Sequence, residues 1–520
     1  VMSPNFVAAS AWLPFLCAVI TIWLNDGRRW SIGAVAIIVA MQFLSGHPQA
    51  AVYSILVAIM YALYLWRALC RPTICFAEIL LFMLLGFGLA GPQLIPTAEL
   101  TLLSGRSDGV SLGQFVNMSL PPERLIELLL PNFHGNSAFG TYWGGAAGFF
   151  IQLCPFMSVV AIILSWIAIR QSSSEPVGFF TGLAALGIVL SLGKYNGFYE
   201  YFYEVPGLNF FRIPTRFLLF FSFGISALAG IGLDKLRHGR GRQGWFFTVT
   251  VFIGALLPIL LNAKLFFAES SWVLSEGGKD LLRYVGHVRL EFLLVSVICF
   301  LMFTVLCVNS LRKLSIIFPV ICFFELYLFG CEFNGTISAE SYKDTPPTAT
   351  AIINDHKEVA PPRILSLVNE KNSHLNWHSG WSVDVSSYLR YNETLRLYSG
   401  GLYGLHNSLP GWSPLHLRRQ WEFATLYPGI IKTAGIQYVI STNSLDSPYL
   451  ELIRDSDISV YRVIETFPRA YLASNYRVIK DQSRRLSLLR RGELDSDTVL
   501  LEEFPIGFKS NGDLSDQVEI

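Results

Sequence analysis

The chain has 520 residues, of which 52% are hydrophobic and 15% are charged, and its formal net charge is +1. Soluble proteins carry about 25% charged residues, so this composition excludes an ordinary soluble enzyme, and its hydrophobicity excludes a disordered chain. A net charge so close to zero argues against a nucleic-acid-binding protein, which needs a basic surface. The composition therefore predicts a membrane protein.

The charges are distributed unevenly along the chain. Residues 333–520 hold 19 of the 39 Lys and Arg residues and 22 of the 38 Asp and Glu residues. The preceding 332 residues are correspondingly poor in charge. We therefore predict a transmembrane body over 1–332 and a soluble α/β domain over 333–520.

The body contains ten apolar stretches that approach the length of about 20 residues needed to cross a bilayer. The predicted spans are 7–24, 31–46, 50–66, 74–91, 149–169, 178–193, 217–233, 245–263, 290–308 and 314–332. The predicted fold class is thus a polytopic α-helical membrane protein with about ten transmembrane helices, followed by a soluble α/β domain.

The basic residues between these spans predict the orientation. Lys and Arg concentrate in cytoplasmic loops, and with ten spans all the basic short connections fall on one side. Their residues are Arg28, Arg29, Arg67, Arg71, Arg170, Lys235, Arg237, Arg240, Arg242, Arg312 and Lys313. That side is predicted to be cytoplasmic, which places the N-terminus, two long loops and the domain 333–520 outside.

The short outer connection SGHPQ contains His47 and Gln49. A single histidine is more often structural than catalytic, but this one shares its predicted side with the long outer loops. Glu99, in the first of those loops (92–148), is a candidate acid or base, and so is His47. Arg106 lies further along the same loop.

The sequence in the middle of this first outer loop predicts a short amphipathic helix over 121–130. Pro121 and Pro122 favour a helix start and Pro131 a helix end, while leucines recur on one face. Such a helix either lies in the membrane interface or packs against other helices.

The second outer loop, 194–216, is rich in aromatic residues and carries Lys194, Glu200, Glu204, Arg212 and Arg216. Its tyrosines are typical of an interfacial aromatic belt. The two arginines lie on the side where arginine is scarce. A guanidinium pair suits a phosphate or pyrophosphate, to which it donates bidentate hydrogen bonds. The alternative is a structural ion pair with one of the two glutamates.

Glu325 lies near the middle of the last predicted span. An intramembrane acid is by default a functional hypothesis. One acid without a relay of partners is weak support for a proton-driven transporter.

The domain 333–520 has a mixed pattern. RILSL, QYVIST and ISVYRVI predict short strands, and TATAIINDHKEV predicts a helix capped by Thr348 or Thr350. Its aromatic, glycine-rich segment offers Tyr403 and Trp412 for stacking on a sugar. Packing within the domain core is the competing explanation for both aromatic residues.

Several of these segments resemble the YfhO-type family of bacterial membrane proteins. The most specific is LGKYNGFYEYFYEVPGLNFFRIPTRFL (192–218). The others are GHPQ (46–49), PQLIPTAE with SGR (92–106), LPNFHG with YWGG (130–145), ALAGIGLDKL (227–236), YSGGLYGLHNSLPGWSPLHLRR (398–419), AGIQYVI (434–440) and VYRVIETFPRAYLAS (460–474).

The resemblance implies a GT-C-like glycosyltransferase of the bacterial cytoplasmic membrane. Such an enzyme transfers a sugar from a polyprenyl-phosphate donor to a cell-envelope glycan or polymer acceptor on the outer face. It implies a carboxylate base and, in many such enzymes, a divalent cation, Mg or Mn. Carried onto this chain, it assigns the donor phosphate to Arg212, Arg216 and Arg106.

The chain departs from the family at its start. The acidic residue expected in a first outer loop has no counterpart before Asp26. The chain is therefore either an N-terminally incomplete copy, which we favour, or a non-catalytic relative in envelope assembly. A transporter or flippase for lipid-linked sugars is the other alternative. The predicted spans of this chain contain few polar residues, which argues against a transporter.

Overall fold

A computed structural model describes most of the chain. The described residues are 4–142, 153–171, 175–205, 207–238, 290–291, 293–302, 304–305, 309–331, 338–368, 386–396, 399–408, 415–427, 429–470, 472–492 and 498–503. They form two compact units. The first takes in the described residues of 4–99 and 108–331, and the second those of 100–107 and from 338 onward.

The first unit is helical. Its helices are α1 Pro4–Ser10, α2 Leu13–Asp26, α3 Arg29–Leu44, α4 Pro48–Ala68, α5 Thr73–Leu89, α6 Gly91–Leu103, α7 Leu112–Phe115, α8 Val159–Gln171, α9 Glu175–Ser191, α10 Leu218–His238, α11 Leu293–Met302 and α12 Phe318–Gly330. Short 3-10 helices link them, among them Pro122–Leu128, Tyr199–Glu204 and Pro214–Phe217. The segment 121–130, predicted as a helix, thus contains the 3-10 helix Pro122–Leu128, which begins and ends within the bounds set by the prolines.

Among the described residues, four helical stretches are long and apolar enough to cross a membrane. They are Pro4–Asp26, Pro48–Ala68, Pro214–Arg237 and Lys313–Gly330. A fifth is possible if α5 and α6, which meet at an angle of 71°, form one broken span. Large apolar side chains on these helices, such as Phe323 at 62% exposure, face outward as lipid-contacting residues do.

The other predicted spans meet shorter helices or lie beyond the described residues. α3, α8, α9 and α11 are apolar but have at most 17 residues. The span predicted over 245–263 falls outside the described residues. The structure therefore has the helices of a membrane protein, while the count of ten stays a prediction.

Glu325 explains why α8 begins at Val159, ten residues after the predicted start at 149. Its carboxylate accepts hydrogen bonds from the Ser158 hydroxyl, from Val159 N–H at 3.2 Å and from Val160 N–H at 3.4 Å. The first N–H groups of a helix have no partner within it. The intramembrane acid thus caps α8, which is a structural role.

The helices of the first unit pack around several apolar cores, of which two are the largest. One lies among α2 to α5 and contains Leu16, Val39 and Ile79, and the other lies among α8 to α12. Aromatic contacts join α4 to the start of α10, where the Tyr53 and Phe217 rings stack at 4.3 Å between centroids.

The second unit contains a mixed five-stranded sheet in the order β2-β1-β3-β5-β4. Its strands are β1 Arg363–Ser366, β2 His406–Asn407, β3 Tyr438–Ser441, β4 Leu450–Arg454 and β5 Ser459–Val463. β1 runs parallel to β2 and β3, whereas β5 runs antiparallel to β3 and β4. β6 Asn475–Val478 and β7 Thr498–Leu501 form a separate parallel pair. All three segments predicted as strands are strands.

The described part of the second unit also has five α-helices: α13 Ala339–Lys343, α14 Pro347–Asp355, α15 Ser386–Glu393, α16 Arg418–Ala424 and α17 Gln482–Arg491. α14 is the predicted helix, but the predicted threonine caps are wrong. Pro346 holds the cap position, and the buried Thr348 hydroxyl donates to Glu393 O at 2.7 Å.

Residues 100–107 belong to the second unit although they precede most of the first in sequence. Ser104 forms an antiparallel bridge with Leu417, and the Arg418 guanidinium donates to the Ser107 hydroxyl at 2.6 Å. The second unit is therefore built from separate parts of the chain.

Candidate functional site

Gln49 is the centre of a polar cluster at the start of α4. Its side chain is buried, with the residue 5% exposed. The amide Nε2 donates to Arg212 O at 2.8 Å and to the Tyr53 hydroxyl at 2.9 Å, and Oε1 accepts from the Arg216 guanidinium. Gln49 thus contacts the backbone of Arg212 and the side chain of Arg216, which lie 163 and 167 residues further along the chain.

The backbone that carries these arginines is strained. Ile213, between them, has φ +67°, a conformation that β-branched residues rarely adopt, and its side chain is buried. The 3-10 helix Pro214–Phe217 follows and leads directly into α10. Strain of this kind persists where surrounding contacts enforce it, and it concentrates at functional sites.

Two helix N-termini, those of α4 and α10, converge on this cluster through Gln49 and Arg216. A helix N-terminus carries partial positive charge and favours anions. Burial also lowers the pKa of Arg212 from its usual value. The cluster is therefore a cationic region in which an anion would offset a desolvated charge.

His47 lies beside this cluster and caps α4. Its Nδ1 accepts the Ala50 N–H at 3.1 Å. Burial, together with the nearby positive charge of Arg216, lowers the pKa of His47 to about 4. The ring is thus neutral at pH 7, which suits a structural cap better than an acid.

The acidic and lysine residues of the second outer loop lie at the surface. Glu200 and Glu204, on the 3-10 helix Tyr199–Glu204, are exposed. The Lys194 ammonium lies over the Tyr195 ring, 5.2 Å from its centroid.

The two long outer loops pack against each other. The Ser119 hydroxyl accepts Lys194 N–H at 3.0 Å, and Val110 N–H donates to Asn209 O at 2.9 Å. At Gly193, with φ +50°, an added Cβ would lie 2.1 Å from the Ser119 hydroxyl oxygen. Only glycine fits this junction.

Sequence reasoning missed a buried charged cluster in the first outer loop. Arg124 and Glu127, each 2% exposed, form an ion pair at 3.1 Å. His134 Nδ1 lies 2.6 Å from the same Glu127 carboxylate, and Arg124 also donates to the Tyr142 hydroxyl. The spacing of Arg124 and Glu127, three apart on one turn, was the available signal. It was obscured by the leucines of the same segment.

Burial raises the pKa of Glu127 to about 7, although Arg124 opposes the shift. Burial and the positive charge of Arg124 lower the pKa of His134. The Glu127 carboxyl and the His134 ring share a hydrogen bond, so the protonation of one affects the other. The first outer loop thus holds a buried carboxyl and a buried imidazole in direct contact.

The remaining predicted residues are dispersed. Glu99 is exposed on α6 and belongs to the first unit, whereas Arg106 belongs to the second, where its N–H donates to Ser104 Oγ at 3.1 Å. Tyr403 accepts a hydrogen bond from Asn392 at 2.7 Å and packs against the core of the second unit. Trp412 lies outside the described residues.

The family resemblance implies a divalent cation, which would need ligands among the described side chains. Mg and Mn bind through several oxygen ligands, carboxylates among them. Within the described part of the chain, no three His, Cys, Asp or Glu side chains gather around a common point. We therefore derive no step through a cation.

Comparisons with known proteins add no relative. The chain matches no protein-family model, no curated protein and no solved structure.

Proposed function

We propose that this protein is an integral membrane glycosyltransferase that takes a sugar from a polyprenyl-phosphate donor. The acceptor is a glycan or polymer of the cell envelope. The observation that supports this is the cluster of Arg212 and Arg216 on the buried Gln49, where the N-termini of α4 and α10 converge.

The proposed chemistry needs this kind of cluster. The acceptor hydroxyl oxygen attacks C1 of the sugar, and the bond from C1 to the phosphate oxygen breaks. The polyprenyl phosphate leaves with the electron pair of that bond, and the hydroxyl proton passes to a base. Guanidinium groups and helix N-termini stabilise the charge that develops on the leaving phosphate.

His47 is not the base in this proposal. Its Nδ1 is occupied by the Ala50 N–H, and its low pKa makes it a weak proton acceptor. The role that we assign to the cluster is therefore phosphate binding, with Gln49 as a positioning residue.

The distribution of charge along α4 and α10 supports the proposed topology. The cluster lies at the N-terminal end of both helices, and Arg67, Lys235 and Arg237 lie at the opposite end. With those basic ends in the cytoplasm, the cluster faces the outside of the bacterial cytoplasmic membrane. We propose the ten-span, GT-C-like arrangement with an extracytoplasmic C-terminal domain on this basis.

Binding of undecaprenyl phosphate tests the phosphate site directly. The purified chain in phosphatidylcholine nanodiscs is titrated with the tritiated lipid. Arg212→Ala and Arg216→Ala should each weaken binding about tenfold or more, since each removes a charged hydrogen-bond donor. Arg216→Lys should retain part of the affinity. Arg237→Ala, at the other end of α10, should bind like the wild type.

Transfer is measured with the same variants. Membranes containing the protein receive a polyprenyl-phosphate donor with a radiolabelled hexose, and label in envelope polymer is counted. Arg216→Ala should reduce incorporation without reducing the amount of protein in the membrane. Wild-type incorporation by both arginine variants would refute the proposal.

A further inference from the structure

The second unit has a cleft of about 630 Å³ at the start of its parallel strands. Arg363 and His406, the first residues of β1 and β2, lie on one side of it. Residues from α16 and the turn after it, including Phe423 and Tyr427, lie on another. This volume is within the range of small-molecule sites, about 300–1,000 Å³.

The cleft is cationic. Arg363 and Arg469 both line it, and no Asp or Glu is among its described lining residues. The Arg363 guanidinium is fixed by a hydrogen bond from NH1 to Ala434 O at 2.7 Å. Phe467 N–H donates to Lys432 O at 3.0 Å, which anchors the segment that carries Arg469. Two positive charges are thus held in place around one space.

Two further polar residues that line the cleft, His406 and Tyr427, can donate hydrogen bonds. Arg469 NH2 lies 3.0 Å from His406 Nδ1. Arginine only donates, so Nδ1 accepts and the neutral ring carries its proton on Nε2. Burial raises the pKa of Tyr427, which keeps its phenol protonated at neutral pH. Both residues therefore present a hydrogen-bond donor.

Apolar surface accompanies these donors. Phe423 is 38% exposed and lines the cleft. An aromatic face beside fixed polar groups is the combination that a sugar ring with charged and hydroxyl substituents requires.

We propose that this cleft binds an acidic saccharide, a sugar that carries a phosphate or a carboxylate. Arg363 and Arg469 bind the anionic group, and His406 and Tyr427 donate to the sugar oxygens. The inference does not depend on glycosyl transfer, because it concerns a different set of residues and is measured as binding.

Ligand-observed NMR on the full chain in detergent micelles tests the assignment. The probes are glucose 6-phosphate, glucuronate, neutral glucose and inorganic phosphate. The two acidic sugars should bind at least about tenfold more tightly than glucose or phosphate, because only they use both the arginines and the aromatic face. Arg469→Ala should remove most of this preference.

Two further variants guard against a folding defect. Arg363→Lys keeps the charge at the buried end and should retain part of the affinity, whereas Arg477→Ala, at an exposed arginine of β6 outside the cleft, should bind like the wild type. Absence of binding by either acidic sugar, or equal binding by wild type and Arg469→Ala, would overturn the proposal. Phosphate that binds as tightly as glucose 6-phosphate would overturn the saccharide assignment.

Discussion

Glu127 and His134 are in direct contact in the first outer loop, with 2.6 Å between the carboxylate oxygen and Nδ1. The fold favours the protonated form of Glu127, because burial raises the pKa of this carboxyl from 4.5 to about 7. Its contribution to the free energy of unfolding is therefore present below pH 4.5 and is lost as the pH rises through 7. The lowered pKa of His134 acts in the opposite direction, since its neutral form is favoured.

Glu127→Gln should remove the carboxyl part of this pH dependence. Between pH 5 and 7.5 the wild type should lose at most about 3 kcal/mol relative to the variant, at about 1.4 kcal/mol per pKa unit. Thermal unfolding of the detergent-solubilised protein across pH measures the slope.

The exposed neighbour Glu123 supplies the control. Glu123→Gln should keep the wild-type slope. If Glu127→Gln has the same slope as the wild type, burial does not raise the pKa of Glu127 in the folded protein.

Individual residues were the hardest part of this molecule to predict. Arg212 and Arg216 were predicted as phosphate ligands from their position on an arginine-poor side, and Gln49 as a candidate on the outer face. No rule of spacing gives the hydrogen bond between residues 49 and 216. The pair of Glu127 and His134 depends on a turn that brings residue 134 back to 127. The local sequence pattern does not indicate which residues a turn of this kind brings into contact.

Secondary-structure elements were predicted better, because their signal is local. Apolar runs and β-branched segments predicted α4, α10 and strands β1, β3 and β5 from neighbouring residues alone. The start of α8 was missed since its cap, Glu325, lies 166 residues away from Val159.

Glycines let these helices approach closely. At Gly232 on α10, an added Cβ would lie 1.9 Å from Leu164 O on α8. At Gly230, two residues earlier, an added Cβ meets nothing within 4 Å. Small residues at interfaces allow such backbone contact between membrane helices.

Gly232→Ala should destabilise the first unit by about 1–3 kcal/mol, because α8 and α10 must move apart. Gly230→Ala should be neutral or slightly stabilising, since alanine is the better helix former. Thermal unfolding in one detergent compares the two. Equal unfolding temperatures would contradict the close contact of α8 and α10.

At the scale of the whole molecule, the prediction that matters is the topology. Cys70, exposed just after α4, lies in a connection predicted to be cytoplasmic. Ser444, exposed in the second unit, lies in the domain predicted to be outside. These two positions therefore report on opposite sides of the membrane.

A membrane-impermeant maleimide should label Cys70 only in inside-out vesicles. In the Ser444→Cys variant it should label position 444 only in right-side-out vesicles. Mass spectrometry of the peptides identifies each labelled site. Labelling of both positions from the same side would mean that the chain crosses the membrane an even number of times between them. The ten-span arrangement requires an odd number and would be excluded.

The bridge between Ser104 and Leu417 has a consequence for the order in which the protein is made. The ribosome completes residues 100–107 more than 300 residues before their partner segment. Residues 100–107 therefore lack this partner while the intervening helices are synthesised. A recombinant fragment that starts at residue 333 would lack them, so Leu417 would lose its backbone partner. Expression trials of the C-terminal unit should therefore supply residues 100–107 as well.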